Sequence, residues 1–327
     1  MYVKRNYGFW MTFNWSKWPF IVGTLYAYAI YLISFFLNID LSIPWSPIGI
    51  MGIAVAFYLG FKNNSSYDRT WEARKIWGSI VNNSRTLGAA IVSFVQMENS
   101  AVIQKELIYR HIAWITVLRH QLRLSKPWEH IDSRSERYAP NVNEDYNSKL
   151  EKELSIYISQ EEIESIANKT NKATQMLKIQ SQRLQELKDK NAYEDFRHME
   201  FHKLITTFYE DQGKSERIKN FPFPRQYAST ALWMTIVFSI FVPFGLLNGF
   251  KEMTIWAYWL SPFLSGLIVW IFFLMEKIGD YSENPFEGSY NDVPITSIAK
   301  AIEIDLREMI NDENIPQPEK EENGFLM

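Results

Sequence analysis

The chain has 327 residues, a formal net charge of −3 and no cysteine. The small negative net charge argues against a nucleic-acid partner, and the lack of cysteine excludes disulfides, thiol catalysis and cysteine-based metal sites. The mean hydropathy of −0.20 is that of a soluble protein, but this value averages apolar, aromatic end segments with a polar and charged middle.

Four stretches of the chain contain no Asp, Glu, Lys or Arg. They cover residues 18–39, 41–61, 226–250 and 253–275. Each is long enough to cross a bilayer as a helix, which takes about 20 mostly apolar residues. Tryptophans cluster near the ends of these stretches, as anchors at a membrane interface do. No small-residue cleavage site follows the first stretch, which is therefore predicted to be a retained anchor. The sequence predicts an all-α membrane protein with four transmembrane helices.

Lysine and arginine beside the four stretches predict the orientation of the chain. Lys4, Arg5 and Lys17 precede the first stretch, and further basic residues occupy positions 62–85 and 217–225. The loops within each pair of stretches carry only Lys251. By the positive-inside rule, both termini and the middle of the chain are expected to be cytoplasmic. We therefore expect a multi-pass protein of the plasma (inner) membrane.

The middle of the chain is predicted to be helical and cytoplasmic, over residues 62–225 and 276–310. No glycine lies between Gly88 and Gly213, and a β-rich domain would need more turn residues. A polar loop is expected at residues 141–147. The tail at 311–327 is rich in Glu, Pro and Asn, which predicts disorder or loose wrapping on a surface. We find no internal repeat, so residues 1–327 are expected to form a single domain.

The second apolar stretch has an unusual pattern. Small residues recur on one helical face, at Gly49, Gly52, Ala56 and Gly60. Small residues let neighbouring membrane helices approach closely. A narrow apolar stripe runs beside them, formed by Ile53, Phe57 and Phe61. In a ring of helices such a stripe would face the axis and form a constriction that gates by dewetting. Alternatively, the stripe faces lipid or a partner helix.

Polar residues follow the stripe directly. Asn63, Asn64 and Ser65 offer hydrogen-bonding groups to ions or water below a constriction. Asp68 and Arg69 can form ion pairs if the helix continues out of the membrane. The alternative is that this segment is an ordinary solvated helix end.

Several short segments together carry a family resemblance. They are residues 59–61 (Leu-Gly-Phe), 67–78 (which include Asp68, Arg69 and Trp71), Pro224, 283–286 (Glu-Asn-Pro-Phe), 291–294 and 302–306. Over nearly its whole length the chain resembles the bestrophin family, in its prokaryotic branch. The resemblance implies a homopentameric ion channel with one central pore, which has an apolar neck and a narrower cytosolic aperture.

Residue roles follow from the resemblance by register. Ile53, Phe57 and Phe61 correspond to the pore neck, and Phe196 corresponds to the cytosolic aperture when counted back from Pro224. The family implies inorganic ions as the partners, in a lipid bilayer, without a cofactor. Chloride or another monovalent anion is the expected ion, and a monovalent cation channel of the same fold is the alternative.

The sequence departs from the family pattern in two places. Thr70 stands where the family often has a tryptophan. The family's eukaryotic members carry an acidic calcium clasp, whereas residues 287–292 offer few carboxylates, and a calcium site needs several oxygen ligands. Calcium gating is therefore not inferred, and Glu287 and Asp292 are expected to form helix caps or inter-subunit contacts.

Other classes of protein fit the sequence less well. His198 and His202 have a spacing that metals use, but no third ligand is evident, and no phosphate loop or nucleophile elbow indicates an enzyme. A secondary transporter usually shows repeats and broken helices. Four spans without a repeat and without an internal charge argue against a transporter, unless the protein oligomerises. A non-conducting membrane scaffold would explain the stripe only as packing.

Overall fold

The computed structural model describes residues 1–130, 146–289 and 292–327. Within them it contains ten helices and, apart from isolated bridges, no β-strand. The helices are α1 (Phe9–Leu37), α2 (Trp45–Phe94), α3 (Ser100–Arg123), α4 (Tyr146–Leu154), α5 (Gln160–Ala167), α6 (Lys172–Asp189), α7 (Asp195–Asn220), α8 (Arg225–Phe250), α9 (Ile255–Asp280) and α10 (Ile295–Met309). Residues 141–145 of the predicted polar loop lie outside the described residues, and α4 begins directly after them.

Four helices are long and apolar enough to span a membrane: α1, α2, α8 and α9. They contain most of each of the four charge-free stretches, so the predicted all-α membrane class is confirmed. Their ends differ from the predicted bounds, because α1 begins at Phe9 rather than at residue 18. Its 29 residues correspond to about 43 Å, more than the about 30 Å of a hydrocarbon core. The first turns of α1 therefore reach into the interface region.

Helix α2 is the longest element of the protein. It contains 50 residues, which correspond to a length of about 75 Å. Pro47 lies in its first turn, where proline is tolerated, and Gly60, Gly78 and Gly88 do not break it. The prediction that this helix continues beyond the membrane stretch is confirmed.

The chain divides into two compact units. We call the first the membrane unit; it consists of Lys4–Asp68 and Pro222–Glu283. In it α9 packs against both α1 and α8. Small residues bring α1 and α9 together: a Cβ atom on Gly266 would lie 1.9 Å from the Thr24 hydroxyl oxygen, and one on Gly23 would lie 3.0 Å from Val269. These glycines are therefore required for the α1–α9 contact.

We call the second unit the polar unit; it consists of Met1–Val3, Arg69–Phe221 and Asn284–Met327. Helix α3 contacts α4, α6, α7 and α10. The core of the unit contains large, fully buried aromatic side chains, including Trp77, Trp114, Phe201 and Phe208. Buried aromatic rings of this size contribute strongly to the stability of a core.

The last residues of the C-terminal tail lie against the polar unit. Phe325 and Met327 are buried, and the Phe325 ring lies 5.0 Å from the ring of Tyr2. Ser297 donates hydrogen bonds to the Met327 carbonyl oxygen from its backbone N–H and its hydroxyl group. Of the two alternatives given for the tail, disorder or wrapping on a surface, these last residues fit the second, because apolar side chains and backbone hydrogen bonds hold them against the polar unit.

Candidate pore-lining surface

The predicted neck residues form an exposed apolar stripe on α2. The exposed fractions are 74% for Ile53, 68% for Phe57 and 60% for Phe61. The rings of Phe57 and Phe61 meet edge to face with their centroids 4.7 Å apart. Over about two turns of a membrane-spanning helix, large apolar side chains thus face away from the packed interior of the membrane unit.

The opposite side of α2 is packed tightly. Ile48, Val55 and Leu59 are buried in a cluster with Phe238 and Val242 of α8. A helix that buries one side in this way has a fixed rotation about its own axis. The packing therefore determines that the stripe is the exposed side.

Of the small-residue face, Gly52 is the residue that meets another helix. A Cβ atom there would lie 2.9 Å from the Phe238 ring, so only glycine allows this approach of α8. Gly49 lies instead against Trp45 of its own helix, and Gly60 has no heavy atom within 4 Å of its Cβ position among those compared. The three glycines of this face therefore do not form one continuous packing surface within a single chain.

A buried ion pair lies directly below the stripe. The Lys62 ammonium group is 2.8 Å from the Glu276 carboxylate and 3.7 Å from that of Asp280. The Lys62 and Glu276 side chains are 1% and 11% exposed. This pair is not predicted from the sequence, in which Lys62 is one of the positive charges beside the membrane. Lys62 and Glu276 are each the first charged residue after an apolar stretch, and this is the sequence feature that could have indicated the pair.

The polar residues below the stripe divide into two groups. The Asn63 side-chain oxygen is buried, and it would lie 2.2 Å from a Cβ atom on Gly279. The structure therefore places Asn63 against α9, away from the stripe, which does not fit the role that we predicted for it. Asn64, Ser65 and Asp68 are exposed, as residues in contact with water and ions must be.

Arg69 and Trp71 belong to the polar unit. Arg69 donates hydrogen bonds to the carbonyl oxygens of Ile218 (3.1 Å) and Phe221 (2.8 Å), at the C-terminal end of α7. A cation is favourable there because the last carbonyl groups of a helix lack partners. Trp71 is 47% exposed. Arg69 thus stabilises a helix end, which is a structural function.

Among the described residues of the polar unit, the predicted aperture residue is the most exposed of the large apolar side chains. Phe196 is 85% exposed in the first turn of α7. Its neighbour Asp195 pairs with Lys188 at 2.8 Å, and the hydrogen bond from Lys188 lowers the pKa of Asp195. On the other side of α7, Phe201, Ile205 and Phe208 are buried. An exposed phenylalanine beside a well-packed helix face is available for contact with another chain or with a narrow pore.

The loop after α9 is organised by a buried carboxylate. Asp292 pairs with Arg123 and accepts hydrogen bonds from the backbone N–H groups of Phe286, Gly288 and Val293. These bonds hold Phe286 at a φ of 79°, an unfavourable angle for a residue with a side chain.

Glu287 is also buried, and it accepts a hydrogen bond of 3.2 Å from the backbone N–H of His130. The expectation of helix-cap or inter-subunit contacts is therefore wrong for Glu287 and Asp292, which bind groups of their own chain. Among the described residues, no group of three or more His, Asp or Glu side chains could hold a metal ion.

These features define an all-helical membrane protein whose second spanning helix presents an apolar stripe. The chain belongs to the bacterial/fungal bestrophin family, whose model matches residues 17–308. The match confirms the resemblance inferred from the short segments.

Individual relatives agree with this assignment. The chain is 26% identical over 297 residues to the voltage-dependent anion channel-forming protein YneE of Escherichia coli strain K12, covering 90% of this chain and 87% of the relative. It is 25% identical over 279 residues to the similarly named protein RSc3414 of Ralstonia nicotianae, covering 85% of this chain and 81% of the relative.

The fold is shared with a solved structure. The crystal structure of a bacterial bestrophin homologue from Klebsiella pneumoniae matches with a TM-score of 0.76 and 22% sequence identity, over 91% of this chain and 99% of that one. The relatives are named as channel-forming proteins, which agrees with the prediction that this chain is not an enzyme.

Proposed function

We propose that this chain is one subunit of a homopentameric channel that conducts chloride or other monovalent anions. In this proposal residues 1–327 form a single channel domain, and the ions pass along the axis of the pentamer. The observation that carries the proposal is the exposed stripe of Ile53, Phe57 and Phe61 on a helix whose other side is packed. Five such helices around one axis would give three successive rings of apolar side chains.

An apolar neck of this kind controls the passage of water as well as of ions. The stripe extends over the nine residues from Ile53 to Phe61, which corresponds to about 12 Å along the helix axis. Hydrophobic constrictions gate by dewetting, because a narrow apolar passage loses its water and an ion then cannot keep its hydration shell. In the proposed channel the neck is the gate, and Phe196 forms a second ring at the cytosolic aperture.

The apolar neck does not by itself choose between anions and cations. The names of the relatives, which are anion channel-forming proteins, support the anion reading. Exposed polar groups below the neck, such as Asn64 and Ser65, would hydrate ions leaving it. A cation-selective channel of the same fold is the alternative, and an electrical measurement distinguishes it from an anion channel.

The charges at the two edges of the membrane unit support the proposed orientation. One edge contains the N-terminal residues of the membrane unit and has six basic and four acidic side chains. The basic ones are Lys4, Arg5, Lys17, Lys62, Arg225 and Lys277, and the acidic ones are Asp68, Glu276, Asp280 and Glu283. The edge with the two hairpin tips has Asp40, Lys251 and Glu252. The more positive edge faces the cytoplasm, so we propose an inner-membrane protein with both termini cytoplasmic.

Alanine substitution of the stripe tests whether it forms the neck. In a channel, replacing Phe57 with alanine widens an apolar ring and changes conduction. In a protein whose stripe faces lipid, the same substitution leaves any current unchanged. Replacing Val102, a 69% exposed apolar residue on α3 of the polar unit, is the matched control.

A further inference from the structure

The exposed side of α2 continues beyond the stripe to an acidic residue. An α-helix turns by about 100° per residue, so residues three, four and seven positions apart share one side of it. Asn64 and Asp68 follow Phe61 at three and seven positions, and both are exposed. The helix is unbroken from Trp45 to Phe94. Asp68 therefore lies on the same side of α2 as the stripe.

The carboxylate of Asp68 is not neutralised by the described part of its own chain. Among residues 1–130, 146–289 and 292–327, none forms an ion pair or a hydrogen bond with its side chain. Its neighbours differ in this respect. Arg69 binds carbonyl oxygens at the end of α7, and Glu72, one turn further along α2, pairs with Arg217. Asp68 is thus an uncompensated negative charge on the exposed side of the helix.

The positive charges of this part of α2 lie elsewhere. Lys62 follows Phe61 directly but lies on the opposite side of the helix, where it is buried against two carboxylates of α9. Lys75 returns to the stripe side only fourteen positions after Phe61, about 21 Å along the axis, whereas Asp68 lies about 10 Å from Phe61. Asp68 is therefore the first charged residue on the exposed side of α2 after the stripe.

Fivefold symmetry would turn this single charge into a ring. In the pentamer of the proposed function, on which this inference rests, the stripe forms the neck and each subunit contributes one Asp68 beside it. Five carboxylates then surround the axis about 10 Å from the last apolar ring. Rings of Asp or Glu are typical of cation channels, and rings of Arg or Lys are typical of anion pores. A ring of Asp68 side chains therefore opposes the passage of chloride.

We propose that Asp68 is a selectivity-determining residue of the channel. Its ring attracts cations and repels anions at the end of the neck, and it thereby limits the preference for chloride over potassium. No ion needs to bind tightly, because the ring acts by changing the local concentrations of ions. At about 0.1 M salt the Debye length is about 10 Å, so the field of the ring reaches the neck. At about 1 M salt the Debye length is about 3 Å, and the field is screened.

The size of the effect follows from the charge and the distance. Five unit charges about 10 Å away in water, weakened by one Debye length of screening, change the local concentration of a monovalent ion about threefold. The change is a decrease for chloride and an increase for potassium, so their ratio changes about tenfold. Asp68→Asn should therefore raise the chloride-to-potassium permeability ratio about tenfold at low salt.

Reversal potentials of the full-length protein, reconstituted in planar bilayers, test the proposal. They are measured in twofold KCl gradients centred on about 0.1 M and on about 1 M, where the Debye lengths are about 10 Å and about 3 Å. Asp68→Asn removes the charge at nearly constant size, and Asp68→Glu keeps the charge. The control Glu161→Gln removes the same charge from an exposed position on α5 of the polar unit.

The proposal predicts that Asp68→Asn moves the reversal potential towards the chloride potential at about 0.1 M and hardly moves it at about 1 M. Asp68→Glu should retain the low permeability ratio, and Glu161→Gln should leave the ratio unchanged. An unchanged ratio in Asp68→Asn at low salt would overturn the proposal. So would an equal change at both salt concentrations, because a change in the shape of the pore is not screened by salt.

The same recordings separate this inference from the proposed function. An intact pentamer of the unaltered protein that passes no current would contradict both the channel function and the role of Asp68. Current with a permeability ratio that Asp68→Asn does not alter would contradict the role of Asp68 alone. An unaltered channel that prefers potassium, and that Asp68→Asn moves towards chloride, would contradict anion selectivity and support the role of Asp68.

Discussion

Removing the charge of Glu276 tests whether its buried ion pair with Lys62 stabilises the part of α2 that carries the stripe. Glu276→Gln keeps the size of the side chain but removes its charge, so that the Lys62 ammonium group stays buried without its 2.8 Å partner. Because Lys62 directly follows Phe61, loss of this pair also loosens the part of α2 that presents the stripe.

The expected magnitude follows from the burial of the two groups. Removing one partner of a buried ion pair costs about 3–5 kcal/mol. Asp280, at 3.7 Å from the Lys62 ammonium group and 29% exposed, compensates part of the loss. We therefore expect Glu276→Gln to lower the free energy of unfolding by about 3 kcal/mol, at the lower end of that range.

Unfolding by sodium dodecyl sulfate in a mild detergent, followed by tryptophan fluorescence, measures this change. The control is Glu72→Gln, which breaks the exposed pair of Glu72 with Arg217, whose side chains are 43% and 60% exposed. Exposed pairs contribute about 0–1 kcal/mol, so the control should change stability little. Replacing Lys62 and Glu276 together with methionine should recover much of the loss, because it leaves no unpaired buried charge.

Two results would refute this reasoning. One is a Glu276→Gln variant as stable as the Glu72→Gln control. The other is a double methionine variant that is no more stable than the single Glu276→Gln variant.

Three further variants test other parts of the structure. Phe57→Ala should raise the single-channel conductance, whereas Leu59→Ala, on the buried side of the same helix, should leave conductance unchanged and lower stability by about 2–5 kcal/mol. Gly52→Val should lower stability by about 1–3 kcal/mol through overpacking against Phe238, which a thermal unfolding scan would detect. Burial lowers the pKa of His111 to about 3, below its value of about 6.5 in the unfolded chain. The contribution of the neutral His111 side chain to stability is therefore fully present above pH 6.5 and is lost as the pH falls. Between pH 7.5 and pH 5 the protein should lose about 2 kcal/mol of stability through this group, and His111→Gln should flatten that slope; an unchanged slope in the variant would contradict the assignment.

The sequence located the membrane helices because the bilayer imposes a simple rule on them. A spanning helix must be apolar over about 20 residues, and the four charge-free stretches meet that rule. The rule says nothing about where a helix ends outside the hydrocarbon core. Helix α1 therefore begins at Phe9 and α2 continues to Phe94, since neither segment contains a residue that stops a helix at the membrane surface.

Contacts between residues that are far apart in the sequence could not be predicted. The contact of Lys62 with Glu276 joins residues 214 positions apart, and Asn63 is drawn to α9 by the space that Gly279 leaves. Both depend on how α2 is rotated against α9, which a period of 3.6 residues in a single helix does not determine. The stripe of Ile53, Phe57 and Phe61 was predictable because it depends only on spacing within one helix.

The burial of Asp292 shows a second limit of sequence reasoning. Its carboxylate binds three backbone N–H groups of its own loop and the Arg123 side chain. Nearly every residue type has a backbone N–H group, so the sequence does not show which backbone groups will bind a carboxylate. The role of Asp292 could therefore not be predicted.

The reversal potential under a salt gradient tests the central claim most directly. The purified protein is reconstituted in a planar bilayer with a tenfold gradient of KCl, for which the equilibrium potentials of chloride and potassium lie about 59 mV on opposite sides of zero. The proposed anion channel predicts a current that reverses near the chloride potential and that changes with Phe57→Ala. Reversal near the potassium potential would contradict anion selectivity, and an intact pentamer that passes no current would contradict the channel function itself.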